Sequence, residues 1–217
     1  MRYVIRQCTD PACRFRYPVD EETVGPDAGC PRCGAPTRIV AEFPFTHESS
    51  PREPGSQTPG PRVEALLDNI RSIYNVGSIF RTADGAGVRR LHLCGITPTP
   101  VHPKVAKTAL GAEQAVPWRA YNNAVDAVVA LKAEGFVVLA LEEGVGMDQK
   151  PGFLEKPGFS EDALILLVMG NEIAGVDPGV LALADRRLAI PMRGVKRSLN
   201  VATAFGIAAY WVTGMTG

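Results

Sequence analysis

The chain has 217 residues, enough for one or two domains of about 150 residues each and a sizeable core in the larger. Its 23 basic and 23 acidic residues cancel, which excludes a protein that works through one global charged field. No charged-then-apolar leader opens it and no apolar run reaches about 18 residues, so a soluble, cytoplasmic protein with no membrane partner is expected.

Four of the five cysteines fall within residues 1–40. Four residues lie between Cys8 and Cys13, and sixteen separate Cys13 from Cys30-Pro31-Arg32-Cys33-Gly34. The glycine after the second pair permits a turn that aims backbone amides at sulfur. Two such pairs fit a four-thiolate zinc ribbon with Cys8, Cys13, Cys30 and Cys33 as ligands; disulfides or free thiols are the alternatives. Four protein ligands leave no open position, so the zinc would be structural, and its binding would supply folding energy to a module too small for much core. Arg14, Arg16 and Arg32 beside the cysteines would touch RNA or merely solubilise the module. Residues 41–61 are rich in proline, glycine and serine and read as a linker, in which His47 is solvated.

Residues 63–67 read as a short buried strand closed by Asp68-Asn69. A helix follows from Tyr74 to the Gly85-Ala86-Gly87 breaker. Asn75, Ser78, Arg81 and Asp84 share one of its faces, while Ile79, Phe80 and Ala83 turn inward. An ordinary solvated face is one reading of that stripe. Against it, Gly77 costs about 1 kcal/mol in a helix unless something approaches closely, and Asn-Ser-Arg is not the usual Glu/Lys mixture.

A strand over 89–94, a proline-broken loop, and a short helix over 105–110 come next. Cys94 reads as a buried small hydrophobe, and His92 and His102 have no acidic or cysteine companions at ligand spacing. A helix over 125–132 leads to a continuous apolar strand over 136–141. A second such strand, 163–169, delivers Gly170-Asn171-Glu172 to its end. A short helix over 178–184 and a strand over 187–190 precede the last helix, 199–212, which Ser198 is placed to cap. That helix is apolar over most of its girth, as for burial in a core or a subunit interface. Alternating strands and helices make a mostly parallel α/β sheet flanked by helices. Asp68-Asn69, Gly170-Asn171-Glu172 and Ser198-Leu199-Asn200 all stand at strand ends, so one edge of the sheet is the expected site. Residues 186–197 carry five basic groups and no acidic one.

Three stretches, NIRSIYNVGSIFRTADGAG, LVMGNEIAGV and IPMRGVKRSLNVATAFGIAAY, resemble in order and spacing the three motifs of the SpoU/TrmH family of SPOUT RNA methyltransferases. The likeness covers residues 62–217 and says nothing of residues 1–61. It implies a C-terminal trefoil knot, S-adenosylmethionine as cofactor, a homodimer, and transfer of a methyl group to a ribose 2'-hydroxyl of tRNA or rRNA. By position it implies cofactor contacts at Gly170, Ile190, Met192 and Leu199. It also implies catalytic roles for Arg81, Asn75, Glu172, Ser198 and Asn200. The family reading makes the arginine a base; because a guanidinium stays charged at neutral pH, we expect it instead to hold phosphate and stabilise the forming alkoxide. The alternative is a non-catalytic RNA-binding or scaffold protein that keeps the fold and the zinc module. A Rossmann or P-loop enzyme is unsupported: Gly144-Val145-Gly146 lacks a third glycine, and no GxxxxGK[ST] exists.

Overall fold

A computed structural model describes residues 3–42 except 23 and 26, 60–142, and 158–214. His47, most of the expected linker and Gly144-Val145-Gly146 lie outside the described residues. The chain divides into two compact units, Met1–Ser56 and Gln57–Gly217.

In the first unit, β1 (Tyr3–Cys8), β2 (Arg16–Asp20) and β3 (Thr37–Glu42) form an antiparallel sheet in the order β2-β1-β3. Along β1, Val4, Arg6 and Cys8 are buried and alternate with more exposed neighbours, the period of two that a one-sided sheet requires. The sequence reading assigned no strands here, because arginine, proline and aspartate interrupt the apolar alternation that marks one.

In the second unit the chain runs β4 (Arg62–Asp68), α1 (Ile73–Ala86), β5 (Leu91–Cys94), α2 (Pro103–Ala109), α3 (Ala112–Ala115) and β6 (Trp118–Tyr121). It continues through α4 (Ala124–Ala133), β7 (Val137–Leu141), β8 (Leu164–Met169), α5 (Pro178–Leu183), β9 (Arg186–Leu188) and α6 (Val201–Val212). The sheet order is β6-β5-β4-β8-β7-β9, with every pairing parallel. One apolar cluster joins the sheet to α1, α2 and α6, and a second joins its other face to α4 and α5. Strands β4, β7 and β8 are therefore covered on both sides, which is why β7 and β8 read as unbroken apolar runs, while β4 carries Glu64 among its apolar residues. The sequence reading missed α3 and β6, both four residues long and too short to show a period.

The order of strands switches between β4 and β8: β5 and β6 extend the sheet one way from β4, while β8, β7 and β9 extend it the other, all of them parallel. Such a switch opens a crevice at the carboxyl edge of the strands. Besides Asp68 at the end of β4, two polar side chains are buried in this sheet. Glu64 and His92, 0% and 1% exposed, meet at 2.8 Å across β4 and β5, and the His92 ring also lies 3.1 Å from the Tyr121 hydroxyl. Burial alone would raise the Glu64 pKa, but His92 and Arg62 bonded to it hold the carboxyl below its usual range. His102 serves as the cap of α2, its Nδ1 accepting from the Lys104 N–H. Cys94 is fully buried, and burial, with Asp68 second, pushes its thiol up to about 12.

Helix α1 starts at the Ser72 cap and ends at Gly87, which takes the left-handed conformation at φ 72°. Within it, Gly77 faces α2 so closely that an added Cβ would fall on the Thr108 side chain and 2.8 Å from the Thr108 carbonyl carbon. Alanine normally stabilises a helix interior by about 0.5–1 kcal/mol relative to glycine. Gly77→Ala is expected to do the opposite, costing about 1–3 kcal/mol through overpacking, read as a lower urea midpoint at unchanged slope.

Candidate active site and metal centre

Strand β8 is followed by Gly170, where the chain doubles back. Asn171 and Gly175 exchange two backbone hydrogen bonds of 2.9 and 3.0 Å, and the Asn171 carboxamide oxygen accepts from the Ile173 and Ala174 N–H groups. A Cβ on Gly170 would collide with Gly175 and the Val176 nitrogen, so only glycine fits. The Asn171 amide donates to the Asn69 carbonyl at 2.6 Å, tying this loop to the end of β4. Asn69 itself is left-handed (φ 56°). Beside it, buried Asp68 accepts from the Asp177 N–H at 3.0 Å. Burial is the main cause raising the Asp68 pKa.

Glu172 links two of the three motifs. Its carboxylate accepts from the Arg71 N–H at 2.9 Å, the Ser72 N–H at 3.0 Å and the Asn75 amide at 2.9 Å. The third motif joins through Asn200, whose amide donates to the Asn75 carboxamide oxygen at 3.0 Å. The Asn200 oxygen accepts from the Ala202 and Thr203 N–H groups, so Asn200 caps α6. Ser198 is two residues too early to be that cap, a correction to the sequence reading. A continuous chain of hydrogen bonds thus runs from the start of α1 through Glu172 and Asn75 to the start of α6. Helix N-termini favour negative charge and free N–H groups need acceptors, so a carboxylate suits that point.

Against this chain lies an open cleft of about 700 Å³, within the size range of small-molecule sites. Its walls are the ends of β7 and β8, the 170–175 loop and the segment after β9. Gly170, Glu172, Ile190, Met192, Ser198, Leu199 and Asn200 all line it. Asn75 reaches it through its two hydrogen bonds, but Arg81 does not line it within one chain. Arg81 is exposed on α1 and has no side-chain partner among the described residues. The sequence reading gave no role to Asn171, which shapes the loop, or to Glu142, whose carboxylate accepts from the Val176 N–H at 2.7 Å and lines the cleft. Asn171 carried the signal of an amide between a glycine and a turn; Glu142 carried none.

In the first unit the sulfurs of Cys8, Cys13, Cys30 and Cys33 lie within 4.8 Å of one another. Cys8 and Cys33 are 3.5 Å apart, and Cys13 and Cys30 are 3.9 Å apart. A tetrahedron with metal–sulfur bonds of about 2.3 Å has sulfurs about 3.8 Å apart, so the residues fit a metal ion. Gly34, at φ 78°, closes the knuckle, and the Arg32 N–H points at the Cys30 sulfur at 3.4 Å. Burial opposes ionisation of Cys30, yet N–H groups at Arg32 and Cys33 help bring its thiol down to about 7. For Cys33, the Ala35 N–H favours the thiolate, but the crowding sulfurs of Cys13 and Cys8 push it up to about 12. A divalent cation relieves that crowding of like charge.

A parallel α/β unit with a cleft at the carboxyl ends of β7 and β8 has the ligand-site placement of the open-sheet class. The chain belongs to the SpoU rRNA Methylase family, whose model matches residues 62–210. It is 32% identical over 150 residues to the tRNA (guanosine(18)-2'-O)-methyltransferase of Escherichia coli (strain K12), covering 69% of this chain and 62% of that enzyme. It is 33% identical over 151 residues to the 23S rRNA (guanosine(2553)-2'-O)-methyltransferase RlmP of Bacillus subtilis (strain 168), covering 69% of this chain and 57% of that one. The chain thus spans about three fifths of the length of these relatives. Among solved structures it resembles an AdoMet-bound rRNA methyltransferase from Sinorhizobium meliloti, with a TM-score of 0.63 at 28% identity over 72% of this chain and 57% of that one.

Burial raises the Glu172 pKa, but the Arg71 N–H, the Asn75 amide and the Ser72 N–H outweigh it and leave the carboxyl below its ordinary value. A carboxyl lowered on folding stabilises the protein above its unfolded pKa of about 4.3, and that stabilisation is lost as pH falls through the folded value. Glu172→Gln is therefore expected to lower the melting temperature at pH 7 and to flatten its fall between about pH 5 and pH 3, measured by calorimetry across that range.

Proposed function

We propose that this protein is an S-adenosylmethionine-dependent methyltransferase that modifies a ribose 2'-hydroxyl of tRNA or rRNA. The observation that carries the reading is the cleft built from the second and third motif stretches and bonded to the first through Glu172, Asn75 and Asn200. Family membership and the printed activities of the relatives support it. We further read the C-terminal segment as a trefoil knot. In support, the chain leaves β9 at the sheet edge and returns past the 170–175 loop to pack α6 against α1 and β8.

The cleft fits the cofactor by its volume, by the half-buried apolar side chains of Ile190, Met192 and Leu199, and by the bare backbone at Gly170. When bound, S-adenosylmethionine supplies an electrophilic methyl group on a sulfonium. Holding a ribose oxygen in line with that methyl, with water kept out, accounts for much of the acceleration. Glu172, Asn75 and Asn200 spend their polar atoms on one another and on backbone N–H groups, so their role is positioning. Ser198 and Arg81, with no side-chain partner among the described residues, have polar groups to offer the substrate. The Arg81 guanidinium would grip a phosphate beside the target ribose and stabilise the alkoxide as its proton leaves.

Arg81 lies outside its own chain's cleft, which supports a homodimer in which it serves the partner's cleft. Exposed Tyr74 on α1 and half-exposed Ile207 and Tyr210 on α6 offer apolar surface to such a partner. Zinc is the metal that four clustered thiolates favour. RNA substrates suit the cytoplasm, and no helix among the described residues is long and apolar enough to cross a membrane.

Arg81→Lys keeps a charge but loses the planar fork. With bulk RNA and methyl-labelled cofactor, its turnover is expected to fall at least about tenfold at unchanged cofactor affinity; full turnover would end the bidentate role. Cofactor binding without methyl transfer to any RNA would favour a non-catalytic scaffold. Metal analysis is expected to find one zinc per chain, and Cys30→Ser to release it while cofactor affinity stays within about twofold, since the ligands and the cleft belong to separate compact units.

A further inference from the structure

The first unit carries arginines that neither the metal cluster nor the methyl-transfer reading employs. Its charges are sorted along the strands. At the cysteine end stand Arg14, Arg16, Arg32 and Arg38, all exposed, and none of their guanidinium groups has a partner among the described residues. Asp20, Glu21, Glu22 and Glu42 gather at the other end.

Register sharpens the pattern. Gln7 on the central strand pairs with Arg16 on one side and Arg38 on the other. Directly opposed residues share a face, so Arg16, Gln7 and Arg38 form one row across all three strands. Two strand spacings put the arginine stems about 10 Å apart. Successive residues of a strand face opposite ways, so this row lies on the face away from Cys8. Neutralising the thiolates therefore does not account for Arg16 and Arg38. The next row on the same face, Pro18, Ile5 and Ala41, carries no charge. Uncompensated like charges on one small sheet repel and favour a polyanion.

We propose that the Arg16–Gln7–Arg38 row, flanked by Arg14 and Arg32, docks the phosphodiester backbone of RNA, making the cysteine-bearing unit a second RNA-binding element of this protein. RNA as the partner rests on the methyltransferase reading. The row itself, Arg16, Gln7 and Arg38, holds no aromatic side chain on which a base could stack, and its charges suit phosphates, so the surface is expected to add affinity more than sequence choice.

The test uses the full-length, zinc-loaded chain, with deacylated bulk tRNA and total rRNA as probes and potassium chloride titrated from 50 to about 200 mM. For R16Q/R38Q the RNA dissociation constant is expected to rise at least about tenfold, and the slope of log affinity against log salt to become shallower by about 1.4–1.8. Zinc content and cofactor affinity are expected to be unchanged. R16K/R38K, which keeps the charges, should retain the wild-type slope, and E22Q at the acidic end should leave affinity unaltered. The single variants should each show about half the slope change, which guards against misfolding of the double variant. An unchanged slope with zinc retained overturns the proposal. So does an affinity loss that appears only together with zinc loss, or a loss equally large in R16K/R38K. Wild-type protein that neither binds nor methylates RNA fails the enzyme reading; wild-type protein that methylates RNA while R16Q/R38Q binds as tightly fails this inference alone.

Discussion

Among the described residues no cation pairs with Glu172. Its carboxylate is held by two backbone N–H groups at the start of α1 and by the Asn75 amide, and through Asn75 it reaches the Asn200 cap of α6. Three segments far apart in the chain meet at that one acid, each supplying groups that would otherwise stand unbonded at a helix start or loop. The cleft keeps its shape because the 170–175 loop and the 189–200 segment are each anchored to α1 through this point. Hydrogen bonds to a charged acceptor are worth roughly twice neutral ones, so a carboxylate here is better than an amide.

Glycine at two positions makes the arrangement possible. Gly77 lets α2 lie against α1, and Gly170 lets the loop after β8 fold onto Gly175 and Val176. Both are places where backbone meets backbone or a side chain with no room for a methyl group. The same economy governs the first unit, where Gly34 closes the knuckle and the cysteines stand in for a core. Only Val4, Cys8 and Cys30 are buried apolar residues among those described there. So few cannot offset the conformational entropy of some forty residues, and a bound metal is the natural remedy.

Much of the second unit is legible in the sequence. Apolar runs at 136–141 and 163–169 are β7 and β8, and the polar stripe on α1 does carry Ser78, Arg81 and Asp84 to the surface. The misreadings share a cause. Ser198 looks like a helix cap in sequence, yet Asn200 takes that role because its amide is also needed by Asn75 across the site. His92 has no acidic neighbour along the chain, but the adjacent strand sets Glu64 against it at 2.8 Å. Parallel pairing joins residues nearly thirty positions apart, and no local pattern records that register.

The sequence alone determined the order of strands and helices, the spacing of four thiols suited to a metal, and the three motif stretches, because each rests on local periodicity or on residue type. Tertiary structure decided what those residues do to one another. It joined Glu172, Asn75 and Asn200 in one chain of hydrogen bonds, and it left Arg81 off the lining of the cleft of its own chain. It also set Arg16 and Arg38 on either side of Gln7. The physical reason is common to all three: side-chain partners are chosen by through-space distance once strands pair and helices pack, and that distance is not written in the spacing along the chain.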